Sequence, residues 1–214
     1  MRRAREARGW TQADAAKRLG VTQGYVSLLE SGRRRVPATL VPHLCKTLGL
    51  SPSALPPHES NLDSDRLPGV LAALGYEPFG YLRGRALNPA DVLLAALRHT
   101  ELPSRVVEAL PWLVLRYPDS SWDWLVERAK VHDVQNRLGY VVALASQLAD
   151  PALAERLRKL VERLEPSRLA REDTLCHDSM TETERRWLRE HRPPEAKRWN
   201  LLTDLTREHL SYAV

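Results

Sequence analysis

In the first 55 residues, apolar positions recur at intervals of three and four, and small polar residues or glycines interrupt them. Arg2 to Arg8 reads as a short helix stopped at Gly9. Thr11 is a natural N-cap for a helix over Gln12 to Leu19, which Gly20 ends. Thr22 caps the next helix, Gln23 to Glu30, which Gly32 stops. Pro37 is expected to open a further helix with Leu40, Leu44 and Leu48 on one face, closed by Gly49. Ser51 to Leu55 suits a last short turn of helix. The pattern predicts five short helices in this first quarter.

The spacing changes after Leu55. PPHESNLDSD, residues 56–65, is polar and proline-rich and reads as a linker. The stretch LPGVLAALGYEPFGYLRGRAL is broken by glycine and proline and predicts a short helix, Val70 to Leu74, with an irregular turn after it. From Asn88 the helical period returns. Asn88 and Pro89 start a helix through about His99. Ser104 starts another, with Pro111 expected to kink or split it. Ser121 starts a third, either continuing through Leu138 or breaking near His132. GYVVALASQLA (139–149) reads as the central helix of this region, and Asp150-Pro151 starts the next. After Pro166 the stretch SRLAREDTLCHDSM is expected to be helix and then loop. Thr181 to Glu184 forms a capping box for a helix through about His191. The chain after it, from Arg192, reads as a short amphipathic piece.

The chain therefore divides into a helical domain at 1–55, a linker at 56–65, a helical core at 66–165 and a helical tail at 166–214, which is a candidate partner-binding segment. The expected fold class is all-α. Leu, Ala, Arg and Glu dominate, and only 10 Gly and 1 Phe occur among 214 residues, which fits helix. Cys45 and Cys176 follow no metal spacing, and the seven histidines are scattered, so two reduced thiols and no metal or other cofactor are expected. No run of about 20 apolar residues suits a membrane span. The basic start MRRAREARGW lacks an apolar stretch behind it, and a cytoplasmic location is the expectation.

Charge sharpens this division. Residues 1–55 carry ten Lys/Arg and three Asp/Glu, a balance of +7, whereas the remainder carries −2. A basic patch confined to one small domain favours a polyanion, most commonly nucleic acid.

The helices from Gln12 to Leu19 and from Gln23 to Glu30 meet the needs of a helix-turn-helix. Ala15, Ala16, Leu19, Val21, Val26 and Leu29 supply the apolar frame, Ala16 is small where the helices should cross, and Gly20 sits in the turn. Gln23, Gly24, Ser27 and Leu28 are left on the outward face. Gln can bond adenine through two hydrogen bonds, Ser can bond several base edges, and Leu can contact a thymine methyl. Leu28 has a second reading as a core or dimer contact, and Tyr25 reads equally as packing or as a phosphate contact.

TQADAAKRLGVTQGYVSLLESGRRRVP resembles the Cro/CI-type helix-turn-helix of phage repressors and bacterial Xre-type regulators. The T-Q opening, the small residue, the turn glycine, the second T-Q and the closing E-S-G stand in register. The resemblance implies that Gln12, with its helix N-terminus, clamps a phosphate. It implies that Gln23, Gly24, Ser27 and Leu28 face bases, that Thr22 and Tyr25 lie at the same surface, and that Arg33, Arg34 and Arg35 grip the DNA backbone. Arg5 and Glu30 match a buried ion pair tying the first helix to the recognition helix. Gly24 departs from the family by replacing a common polar residue, so one base contact is lost there. A double-stranded operator bound by a homodimer is the implied partner.

Residues 88–165 show helix periodicity without strand alternation, so a self-cleaving β-type domain is not expected. No nucleophile motif or phosphate-cradling glycine loop is visible, and no catalytic role is expected. Asp133, Gln135, Asn136 and Arg137 form a polar knot between apolar helical runs, either capping helices or presenting a partner surface. Trp112, Trp122 and Trp124 read as core, whereas Trp187 and Trp199, flanked by Arg and Pro, are candidates for a protein interface. VVEALPWLVLRYPDSSWDWL, DVQNRLGYVVALA and RPPEAKRWNLLTDLT resemble the helical region of Xre-type antitoxins from toxin–antitoxin operons. That resemblance implies a repressor of its own operon that neutralises a cognate toxin, with a nucleotidyltransferase-type toxin the expectation. A ligand-sensing Xre-type regulator is the alternative.

Overall fold

The computed structural model describes residues 1–37, 39–210 and 212. Among these the fold is all-α, with twelve α-helices and one two-stranded sheet. The first quarter holds α1 (Arg2–Glu6), α2 (Gln12–Leu19), α3 (Gln23–Glu30) and α4 (Val41–Leu48). Residues Pro52–Ala54 form a single 3-10 turn where a fifth helix was expected. α4 begins at Val41 instead of at Pro37, because Pro42 fits only the first turn of a helix.

The N-terminal elements close over a small core of Ala15, Ala16, Leu19, Val26, Leu29, Leu44 and Leu48. α2 is bounded as its sequence dictates. The Thr11 hydroxyl accepts the Asp14 amide, and Asp14 accepts the Thr11 amide in return. Gly20 ends the helix at φ +65, a left-handed conformation that costs a glycine little.

A second, much larger core belongs to the rest of the chain. It is built on α5 (Leu67–Ala73), α6 (Pro89–Arg98), α7 (Ser104–Arg116), α8 (Trp122–Val131), α9 (Gln135–Ser146) and α10 (Pro151–Leu164). α9 lies at its centre, with every residue from Gln135 to Ala145 buried. α7 runs unbroken through Pro111, where a kink or split was expected. An interior proline costs about 3 kcal/mol. Each fully buried large apolar side chain returns roughly 1.5–3 kcal/mol, and Val106, Leu110, Trp112, Leu113 and Val114 are all buried on this helix. Of the two readings for α8, the break near His132 is the one observed, with Asp133 at φ +56 starting the turn into α9.

The stretch after α10 is where pattern and structure part. No α-helix forms over residues 168–180. A 3-10 turn (Glu165–Ser167) leads into extended chain, and β1 (Asp173–Thr174) pairs in parallel with β2 (Leu201–Leu202), Asp173 opposite Leu201. Between them α11 (Glu182–His191) has the expected capping box, Thr181 with Glu184, and α12 (Pro194–Arg198) precedes β2.

Residues 56–65 lie along the helical body. The Asn88 side chain donates to the Leu55 carbonyl at 2.6 Å, while its own oxygen caps α6. The His58 amide donates to the buried Asp91 carboxylate at 2.7 Å, and the His58 ring lies 3.1 Å from the same group. Glu59 meets Arg128 and His132, and His99 meets the Leu62 carbonyl. Among the described residues no helix is long and apolar enough to cross a membrane.

Candidate nucleic-acid interface

α3 is fixed from behind and bare in front. Val26 and Leu29 are buried in the small core. Gln23, Gly24, Ser27 and Leu28 are exposed on the opposite side, Leu28 at 37%. Thr22 accepts the Tyr25 amide at 3.2 Å and so sets where the helix starts. A β-carbon built on Gly24 would meet nothing within 4 Å, so the glycine leaves an open notch in this face.

A buried ionic network sets the angle of α3. The Arg5 guanidinium donates to both oxygens of Glu30, at 2.8 and 3.1 Å, and to the Trp10 carbonyl at 2.6 Å. Gln12 donates to the same carboxylate at 3.0 Å. Burial works against the charge on Glu30, and the bonds from Arg5 and Gln12 outweigh it, so the carboxyl is held below its ordinary value. Three helices thus converge on one side chain at the C-terminal end of α3. The fork geometry fixes direction as well as distance. Gln12 stands at the first turn of α2, half-exposed, and its side-chain NH2 has a second N–H beyond the one given to Glu30.

The basic loop follows directly. Arg33, Arg34 and Arg35 are all exposed. The Arg34 amide returns to the Leu28 carbonyl at 3.1 Å, and its guanidinium lies 5.0 Å from the centre of the Tyr25 ring. Tyr25 is half-buried against the small core and also carries this cation, so packing and surface roles meet in one residue. The structure therefore brings Gln12, Thr22, Tyr25, the exposed face of α3 and the arginines into one contiguous region.

A family model described as a helix-turn-helix domain matches residues 1–56. The N-terminal quarter is a helix-turn-helix domain of the Cro/CI, or Xre, type. This makes the chain a DNA-binding protein of the kind that regulates transcription. No curated protein and no solved structure matches it.

The second group of candidates lies elsewhere and is mostly closed. Gln135, Asn136, Arg137 and Trp199 are buried and therefore offer no partner surface. Arg137 forks onto Asp173 at 2.8 and 2.7 Å and caps the carbonyls of Leu97 and His99 at the end of α6. Burial opposes its charge, and the Asp173 bonds outweigh burial, so its pKa moves up. Asn136 exchanges two hydrogen bonds with the backbone of Leu169, and Gln135 donates to the Ser167 carbonyl. Together these side chains hold the irregular stretch from Ser167 to Asp173 against α9, which is why no helix forms there. Trp199 is fully buried over Gly139 and donates to Glu195. Asp133 is exposed at the turn, and Trp187 is exposed on α11.

The Gln12–Glu30 bond is not legible in the sequence. The acid was assigned to Arg5 alone, and only its position facing two helix ends could have signalled a second donor. Asn88 was foreseen as a cap but not as the anchor of Leu55. Among the described residues no group of three His, Cys, Asp or Glu is placed to hold a metal ion.

Proposed function

We propose that the chain is a sequence-specific transcriptional repressor that binds a double-stranded operator as a homodimer. In this reading Gln23 and Ser27 contact base edges, with Leu28 against a thymine methyl. Gln12, Tyr25 and Arg33 to Arg35 hold the phosphate backbone. The observation that carries it is the Arg5–Glu30–Gln12 network, which fixes α3 while leaving its outer face unencumbered. Two copies on a two-fold axis would read half-sites about one helical turn apart. No catalytic role is assigned, and the cytoplasm is the compartment that suits this activity.

The reading extends to an antitoxin. The chain would repress its own operon through residues 1–55 and neutralise a cognate toxin, of nucleotidyltransferase type, through the C-terminal region. The sequence resemblance supports this, as does an exposed tryptophan on α11. Expressing the adjacent gene alone and together with this chain tests it. Arrested growth, relieved by co-expression, is the expected result. A neighbour harmless on its own contradicts the antitoxin role and leaves DNA binding intact. Operator affinity that shifts with a small molecule would instead favour a ligand-sensing regulator.

A further inference from the structure

α11 is attached to the body by polar contacts more than by packing. Arg185 donates to the carbonyls of Asp178 and Met180, Arg189 pairs with Glu172, and Arg192 donates to the Leu201 carbonyl. Among the described residues its buried Leu188 belongs to a small cluster with Met180 and Leu202 that stands apart from the main core. Beside that cluster two cavities, of about 350 and 410 Å³, share His177, Met180, Leu188 and Asp204 and form one trough.

The floor of the trough is Leu102, Val107, Leu175 and Leu205. It is braced where the Leu102 amide donates to the Cys176 carbonyl and Glu101 bridges to His177. Trp187 stands on the lip at 52% exposure, its ring stacked on His191 one helical turn away. It is the one exposed tryptophan among the described residues.

The charge of the trough opposes that of the protein. Glu101, Glu108, Glu184 and Asp204 line it, and neither Lys nor Arg does, in a chain whose formal net charge is +5. Glu184 is held ionised by the Thr181 backbone and hydroxyl that it accepts from. Arg185, next to Glu184 on α11, is turned to backbone carbonyls.

We propose that this trough is the docking site for a basic amphipathic helix of a protein partner. The apolar ridge would seat against Trp187 and the edges of Met180 and Leu188, with Lys or Arg flanks meeting Glu108 and Asp204. An open trough with an acidic rim, apolar edges and an exposed tryptophan matches a helix laid in a groove. An exposed tryptophan beside a cavity is the kind of anchor that dominates such interfaces. The inference deepens the partner-binding part of the proposed function and rests on it.

The test uses the full chain and a fluorescein-labelled synthetic peptide of roughly 15 residues, about four helical turns. The peptide carries leucines along one face and lysines on the other, and anisotropy reads binding. Binding in the micromolar range is expected despite the positive charge of the chain. A peptide with glutamate in place of each lysine should not bind. Asp204→Lys and Trp187→Ala should each weaken the lysine peptide by about tenfold. Both residues are exposed, and an unchanged circular dichroism melt confirms that each variant folds. Glu108→Lys supplies an independent site should one not.

Equal affinity for the variants, equal affinity for the glutamate peptide, or no binding up to millimolar concentration would overturn the assignment. So would a chain dimer that sedimentation shows to be lost in Trp187→Ala, since a second copy would then be the occupant. Neutralisation of the neighbouring gene product that persists without peptide binding removes the trough but not the antitoxin role. Peptide binding beside a harmless neighbour does the reverse.

Discussion

Two buried arginines perform the same chemistry in the two parts of the molecule, with different results. Arg5 forks onto Glu30 across 25 residues, and Arg137 forks onto Asp173 across 36. Arg5 works in a core of seven buried side chains, where one fork can orient a whole helix. Its acceptor sits on α3, and the consequence appears on the outer surface. Arg137 is enclosed by the carbonyls of α6, by Asp173 and by Cys176, whose thiol burial pushes up to about 12. Its consequence is internal, holding the stretch after α10 against α9. A buried ion pair thus serves a site only when one partner belongs to an element with a free face.

Removing the two arginines is the strongest way to separate the pair. Arg137→Ala leaves Asp173 without its counter-ion and orphans two carbonyls, a loss of roughly 3–5 kcal/mol. Denaturant unfolding followed by tryptophan fluorescence should show it. Arg5→Ala should cost less overall stability and should instead weaken operator binding. If Arg5→Ala unfolds the chain as readily as Arg137→Ala, the contrast fails.

Gly139→Ala probes the same interior. Alanine normally improves a helix interior by about 1 kcal/mol over glycine. Here its β-carbon would clash with the ring of the fully buried Trp199. Overpacking of this kind costs roughly 1–3 kcal/mol, so a net loss in midpoint denaturant concentration is expected. Increased stability would show that the ring moves freely.

At the surface the effect is smaller and of another kind. Arg34→Ala should weaken binding to every duplex and reduce the slope of log affinity against log salt by about one. Filter binding at several salt concentrations reads it. An unchanged slope would remove Arg34 from the backbone contacts.

Legibility in the sequence follows the same contrast. α2 and α3 are legible to the residue because their caps, Thr11 and Thr22, and the stop of α2 at Gly20 are local signals that no distant contact overrides. α6 was equally clear from Asn88 and Pro89. The stretch after Pro166 was not, because its conformation is dictated by Gln135, Asn136 and Arg137, some 30 residues away. Those three read either as caps or as a surface, and the hydrogen bonds they make to backbone carbonyls favour the first reading. Only the apolar run on both sides of them, continuous with α9, signalled that they are interior. Trp199 misled because its Arg and Pro neighbours hide a side chain that is wholly covered. The candidate DNA face was legible as a set of residues, whereas the Gln12 bond that helps orient it belongs to tertiary geometry.

In the proposed function the exposed face of α3 reads sequence while the loop supplies general affinity. The most direct measurement compares wild-type and Gln23→Ala on a selected operator and on random duplex at one salt concentration. A loss of roughly 1–3 kcal/mol on the operator and no change on random DNA is expected. Equal weakening on both, or none on either, would contradict it.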